Sequence, residues 1–130
     1  RHVGVRIGSD EPLAHRIEAG SDLFLMPSRF EPCGLGQMIA MKYGTVPLVR
    51  RTGGLADTVE NLSLEGKKGT GFLFDDYRGE ALLAMTQRAV EAFHQPKLWG
   101  DLVGRAMTQD FSWDASARKY MELYEEILRK

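Results

Sequence analysis

Cysteine is nearly absent from these 130 residues, with Cys33 the single example. One thiol excludes an internal disulfide and a cysteine-based zinc cluster, and it fits a reducing compartment. Histidine is scarce too: His2, His15 and His94 are scattered without metal-ligand spacing. Each reads as a surface or capping residue, and no metal is expected. No charge of one sign dominates, because 17 basic residues meet 18 acidic ones for a formal net charge of -1. Without a basic field, neither nucleic acid nor an anionic membrane is an expected partner. No apolar run approaches the ~20 residues of a membrane span, and no charged start precedes an apolar signal core. Two nucleotide signatures are also missing, the glycine–lysine–serine/threonine ending of a P-loop and a complete GxGxxG.

What is present suits one packed domain. A hydrophobic content of 43% is enough for a core without staples. The chain opens at Arg1 without an initiator methionine and runs straight into alternating Val3, Val5 and Ile7, as though cut from something longer. That alternation predicts a strand, with Gly8-Ser9-Asp10 leading into a helix that starts near Glu11 and Pro12 and stops at Gly20. Asp22 to Met26 is too short and apolar for a helix and predicts a buried parallel strand. Val46 to Val49 predicts another, with Pro47 arguing for an edge or a strand start. Gly71 to Phe74 predicts a fourth. Helices are expected over Leu35–Tyr43, from Leu55 to about Val59, through Leu82–Phe93, over Leu98–Met107 and from Ser112 onward. Asp75 and Asp76 are expected to favour the positive end of the dipole of the helix carrying Leu82. Asn61 to Thr70 has loop composition and is the expected flexible surface segment.

Strands alternating with helices predict an α/β fold, a Rossmann-like parallel sheet covered on both faces. Four strands are few for a complete domain of that kind, so further strands are expected upstream of Arg1. The parallel arrangement gives special weight to Ser28–Gly54. It holds Glu31-Pro32-Cys33-Gly34-Leu35-Gly36, then an apolar helix and strand, then Thr52-Gly53-Gly54. Each strand delivers its loop to the same carboxyl end of the sheet, so both glycine turns would face one crevice. Glycine lets backbone approach a ligand closely, and free N–H groups at a helix start bind phosphate oxygens. Together the turns would suit a diphosphate.

A plainer account competes at each residue. Glu31 is also what a helix dipole favours, and Gly53-Gly54 is also a tight turn. Cys33 is also a small packing residue. Arg50 and Arg51 read as a solvated pair at a strand end, and Lys67 and Lys68 as a solvated loop. Trp113, Tyr120 and Tyr124 read as a packing stripe on an amphipathic helix rather than as a sugar platform. The other face of that helix carries Glu125 with Arg129 and Glu126 with Lys130, four apart in the favourable order.

As a set, Pro27 to Val59, PSRFEPCGLGQMIAMKYGTVPLVRRTGGLADTV, resembles the donor-site region of bacterial glycogen synthases and plant starch synthases. The likeness extends more weakly through Val5-Arg6-Ile7-Gly8, His15-Arg16-Ile17 and Asp110-Phe111-Ser112-Trp113, and so covers almost the whole chain. It implies the GT-B architecture of two Rossmann-like domains across a cleft. Residues 1–130 would then be an incomplete C-terminal, nucleotide-sugar-binding domain, with 113–130 a C-terminal amphipathic helix that folds back across the domain junction.

The resemblance further implies a retaining transfer of glucose from ADP-glucose to the non-reducing end of an α-1,4-glucan, with no cofactor and no metal. Glu31 matches the family's essential acidic residue. Cys33, Gly34, Leu35 and Gly36 match the turn that meets the donor, and Thr52, Gly53 and Gly54 the turn lining the other side. Position 36 often carries a larger residue in relatives. Ile39 stands where the wider superfamily often has a second glutamate, so a two-carboxylate mechanism has no support. The family's basic pair that neutralises the leaving diphosphate falls upstream, and acceptor-side residues fall in the N-terminal domain, so this piece alone is expected to be inactive. Location would be cytoplasmic in a bacterium and the plastid stroma in a plant. Two alternatives stand beside this reading: a stand-alone nucleotide- or glucan-binding module, and another two-domain nucleotide-sugar transferase such as a sucrose or trehalose enzyme.

Overall fold

The computed structural model describes residues 3–129; His2 and the Lys130 end of the Glu126–Lys130 pair lie outside them. The elements, in order, are α1 (Glu11–Ala19), β1 (Leu23–Met26), α2 (Gly36–Tyr43), β2 (Val46–Arg50), α3 (Gly54–Thr58), β3 (Phe72–Phe74), α4 (Gly79–Phe93), α5 (Pro96–Met107) and α6 (Trp113–Leu128). The strands form one parallel sheet in the order β1-β2-β3. Leu23 pairs with Val46 and Met26 with Val49, while Leu48 pairs with Phe72 and Arg50 with Phe74.

Alternation along β2 divides the core. Val46 and Leu48 join Phe72 and Phe74 against Ala89 and Ala92 of α4 and Leu102 of α5. Val49 and Leu73 point the other way, toward Met41 of α2 and Leu55 of α3. Helices therefore cover both faces, as a parallel sheet requires. Full burial of Phe72 or Leu48 contributes roughly 1.5–3 kcal/mol each. Pro47 sits inside the central strand rather than at an edge. It is tolerated because the ladder to β3 begins only at Leu48, so the missing N–H falls near the strand's start.

Among the described residues three strands form where four were expected. Val3, Val5 and Ile7 are 71%, 81% and 91% exposed and have no strand assignment. Alternation marks a segment able to form a strand, but a strand exists only in a ladder, and none of the named strands pairs with this one. The helix that follows behaves as its caps predict: the Asp10 carboxylate accepts from the Leu13 amide, Pro12 lies in the first turn, and Gly20 closes the end. α2 ends at Gly44, which takes φ 85° and returns its N–H to Ala40 and Met41. Fully buried Thr45 then turns its hydroxyl to the carbonyls of Ser21, at 2.7 Å, and Glu18.

The dipole role expected of Asp75 and Asp76 is not the one they take. Arg78 is the N-cap of α4; Asp75 pairs with Arg51 at 2.8 Å and Asp76 with Arg78 at 2.6 Å. The 61–70 segment is also more tied down than its composition suggests. Ser63 N–H donates to Lys68 O at 3.0 Å, Arg105 donates to Gly69 O at 2.8 Å and Gly66 O at 3.1 Å, and Arg88 donates to Leu62 O. Ser112 caps α6 as expected, accepting from the Ala115 amide at 3.2 Å. The stripe on that helix is not packed, however: none of its residues is buried, and Trp113 is 87% exposed. No helix among the described residues is long and apolar enough to cross a membrane.

Candidate functional site

The two glycine turns meet at the carboxyl edge of the sheet. β1 ends at Met26 and hands the chain to Pro27–Leu35; β2 ends at Arg50 and hands it to Arg51–Gly53. Their backbones touch. A Cβ on Gly53 would fall on the Glu31 carbonyl oxygen, and one on Gly54 would fall on the Cys33 carbonyl. Gly53 also has φ 46°, which L side chains rarely adopt. The first reason for these two glycines is thus the close approach of one turn to the other.

Three of the predicted donor-site residues, Cys33, Gly53 and Gly54, are brought together with Glu31 by that contact. Glu31 is half-buried, and its carboxylate accepts from Ser28 Oγ at 3.4 Å. The first turn of α2 contains no acidic residue, so the carboxylate is not serving as a helix-start charge. Cys33 is an exposed free thiol whose Sγ lies 3.8 Å from Gly34 O. Gly34 is buried, with φ 75°. Leu35 and Gly36 begin α2, and Leu35 has no capping side chain. The Leu35 side chain joins Met38, Ile39, Lys42, Asp110, Phe111 and Ser112 around a largely apolar hollow of about 410 Å³. A Cβ on Gly36 would stand 3.0 Å from Phe24 Cζ, so the glycine admits that ring beneath the helix start. Half-buried Thr52 accepts the Leu55 amide at 3.2 Å and so starts α3.

Three residues hold this edge together in roles the sequence reading did not assign them. Gln37, wholly buried on α2, donates its amide to Gly34 O at 2.8 Å, Cys33 O at 3.3 Å and Thr58 Oγ1 at 3.0 Å. Thr58 in turn donates to Gly54 O at 2.6 Å. The signal for Gln37 was its isolation as a polar residue in a helix apolar nearly all round. Arg50, expected as a solvated cation, instead donates to the carbonyls of Ser28, Arg29 and Asp75, with its guanidinium 5.6 Å from the Tyr77 ring centre. A strand-end arginine among three loop carbonyls makes charge-assisted hydrogen bonds to them, an arrangement only the fold discloses. Beside it, Pro27, Phe74, Tyr77, Arg78, Gly79 and Leu82 line a hollow of about 250 Å³. Among the described residues, no group of three or more His, Cys, Asp or Glu side chains could hold a metal ion.

Residues 7–98 match the model of the family described as glycosyl transferases group 1. A glycogen synthase of Anaeromyxobacter sp. (strain K) is 57% identical over 125 residues, which is 96% of this chain and 26% of that protein. The catalytic domain of starch synthase IV from Arabidopsis thaliana, solved bound to ADP and acarbose, superposes with a TM-score of 0.81 at 41% identity, covering 95% of this chain and 26% of that one. Sucrose-phosphate synthase from Thermosynechococcus elongatus gives a TM-score of 0.58 at 26% identity, over 86% of this chain and 27% of that one. The chain thus spans about a quarter of the length of these relatives, and its parallel sheet with two helical layers is a fragment of the GT-B starch synthase fold.

Proposed function

The chain belongs to the glycosyl transferases of group 1, and on that premise we propose that it is the donor-binding part of a glycogen or starch synthase. The donor is ADP-glucose, the acceptor an α-1,4-glucan extended at its non-reducing end, and the configuration at the transferred carbon is retained. The partner within the same enzyme is an N-terminal acceptor domain. One observation carries the reading: the turn bearing Glu31 and the turn bearing Thr52-Gly53-Gly54 are in backbone contact at the sheet edge where α/β folds bind ligands.

The chemistry follows from charge. As the bond between sugar and diphosphate breaks, positive charge grows on the sugar ring and negative charge on the departing phosphate. Glu31 is held half-buried by Ser28 and supplies a fixed negative charge for the first. Backbone N–H groups of Gly34 to Gly36, at the start of α2, supply preorganised donors for the second. No metal or cofactor is invoked. Arg50 and Arg51 are committed to Ser28, Arg29 and Asp75, which supports an upstream origin for the cations that meet the leaving diphosphate. The closer superposition on the starch synthase than on the sucrose-phosphate synthase favours the glucan reading over the sucrose one.

Glu31→Ala, made in the enzyme that joins this chain to its N-terminal domain, is the direct test. Glucan elongation from ADP-glucose should fall about a hundredfold or more, with the fold intact by circular dichroism. Full activity in that variant would remove Glu31 from the donor site.

A further inference from the structure

We propose that Gln37 is a positioning residue for the donor turns, a buried amide brace that, with Thr58, sets one turn's distance and tilt against the other. The inference rests on the donor-site reading above and adds to it a residue that touches neither sugar nor phosphate.

Three acceptors surround the Gln37 side-chain amide: Gly34 O, Cys33 O and Thr58 Oγ1, at 2.8, 3.3 and 3.0 Å. All three are acceptors, so the NH2 rather than the Oε1 faces them, its two protons serving three acceptors with one of them shared. The first two acceptors lie in the Glu31 turn. The third, Thr58, spends its proton on Gly54 O at 2.6 Å in the second turn, so its oxygen is free to accept from Gln37. A continuous line of donors therefore runs from one turn to the other, at the place where the Gly54 and Cys33 backbones touch.

Packing alone does not account for glutamine here. The residue is fully buried, and its Oε1 has no hydrogen-bond partner. A buried acceptor without a donor is unfavourable, and methionine, of similar length, would not carry it. The same oxygen would stand 2.5 Å from a Cβ on Gly34, so a side chain at that position would have to displace the Gln37 amide. What the glutamine provides is relative placement of two loops whose N–H groups must converge on one ligand. Misplacement of such groups by about an ångström can cost two orders of magnitude in rate.

The test uses Gln37→Met, Thr58→Val and Thr58→Ser in the two-domain enzyme, with kcat and KM for ADP-glucose and amide exchange followed by mass spectrometry. Gln37→Met and Thr58→Val should each lower kcat about tenfold or more. Exchange should rise in residues 31–38 and 52–58 but not in α4 or β3. Thr58→Ser should stay within about twofold of the parent, and Gln37→Met with Thr58→Val should be no worse than Gln37→Met alone, since both break one bridge. Unchanged kcat in Gln37→Met overturns the proposal, as does exchange that rises throughout the domain or losses that simply add. Should the parent enzyme not use ADP-glucose at all, the donor-site reading fails. The brace is then judged on exchange alone: loosening confined to the two turns supports it, and unaltered turns overturn it.

Discussion

Gly53 and Glu31 are 22 positions apart in sequence, yet the Gly53 Cα faces the Glu31 carbonyl so closely that no side chain fits between them. Any residue at 53 must push the Glu31 turn away, and with φ at 46° it must also strain its own backbone. Gly53→Ala should therefore cost about 2 kcal/mol or more by urea unfolding. Gly100→Ala and Gly104→Ala are the controls: both glycines lie within α5 with nothing within 4 Å of an added Cβ. Each should stabilise by up to about 1 kcal/mol.

Arg50 supports the same turn from beneath. Its guanidinium donates to Ser28 O at 2.8 Å and to Arg29 O, just ahead of Glu31, and to Asp75 O after β3. Lysine keeps the charge but not the planar fork that reaches several carbonyls at once. Arg50→Lys should lose about 1–2 kcal/mol, close to the loss in Arg50→Met. A lysine variant as stable as the parent would show that charge, not geometry, sets this residue's contribution.

Asp110 supplies a pH dependence at the entry to α6. Hydrogen bonds from Ser112, side chain first and backbone amide second, hold its carboxyl below the usual carboxylate range, with Arg118 and Lys42 adding weaker attraction. A depressed folded-state pKa means that the stabilisation is present above the unfolded pKa and is lost as pH falls through the folded one. The Ser112 amide resonance should accordingly titrate below the ordinary aspartate range and be flat in Asp110→Asn. A midpoint at or above the ordinary value would contradict the assigned hydrogen bonds.

α6 should be the least protected long helix. It has no buried residue, whereas α4 buries Ala89 and Ala92 and α5 buries Leu102 and Ala106. Local opening is easiest where few apolar contacts must be broken. Amide exchange of the chain by itself should run fastest in 113–128, and protection there equal to that of α4 would mean that the helix has found a covering surface.

The sequence made much of this legible because short apolar runs and caps are local signals. β1, β2 and β3 announce themselves as Leu23-Phe24-Leu25-Met26, Val46–Val49 and Phe72-Leu73-Phe74, and Asp10, Gly44 and Ser112 mark helix ends by their own backbone chemistry. The strand expected at Val3–Ile7 shows the limit, since alternation records which side chains could share a face but not whether a neighbour offers a ladder. The site divides in the same way. The EPCGL and TGGLADTV stretches identify the turns, whereas the roles of Gln37 and Arg50 depend on carbonyls brought in from other loops. Those partners have no signature in the local residue pattern.

The 61–70 loop has a bearing on how the chain meets a protease. Lys67 and Lys68 stand exposed on a surface turn and offer trypsin two adjacent bonds. Cleavage needs an extended stretch of backbone drawn into the enzyme, and here Gly66 and Gly69 on either side are fastened by Arg105 from α5, while Lys68 closes onto Ser63. Susceptibility at that spot is thus governed less by the two lysines than by an arginine some 37 positions downstream, since the bonds become a substrate only when its grip is released.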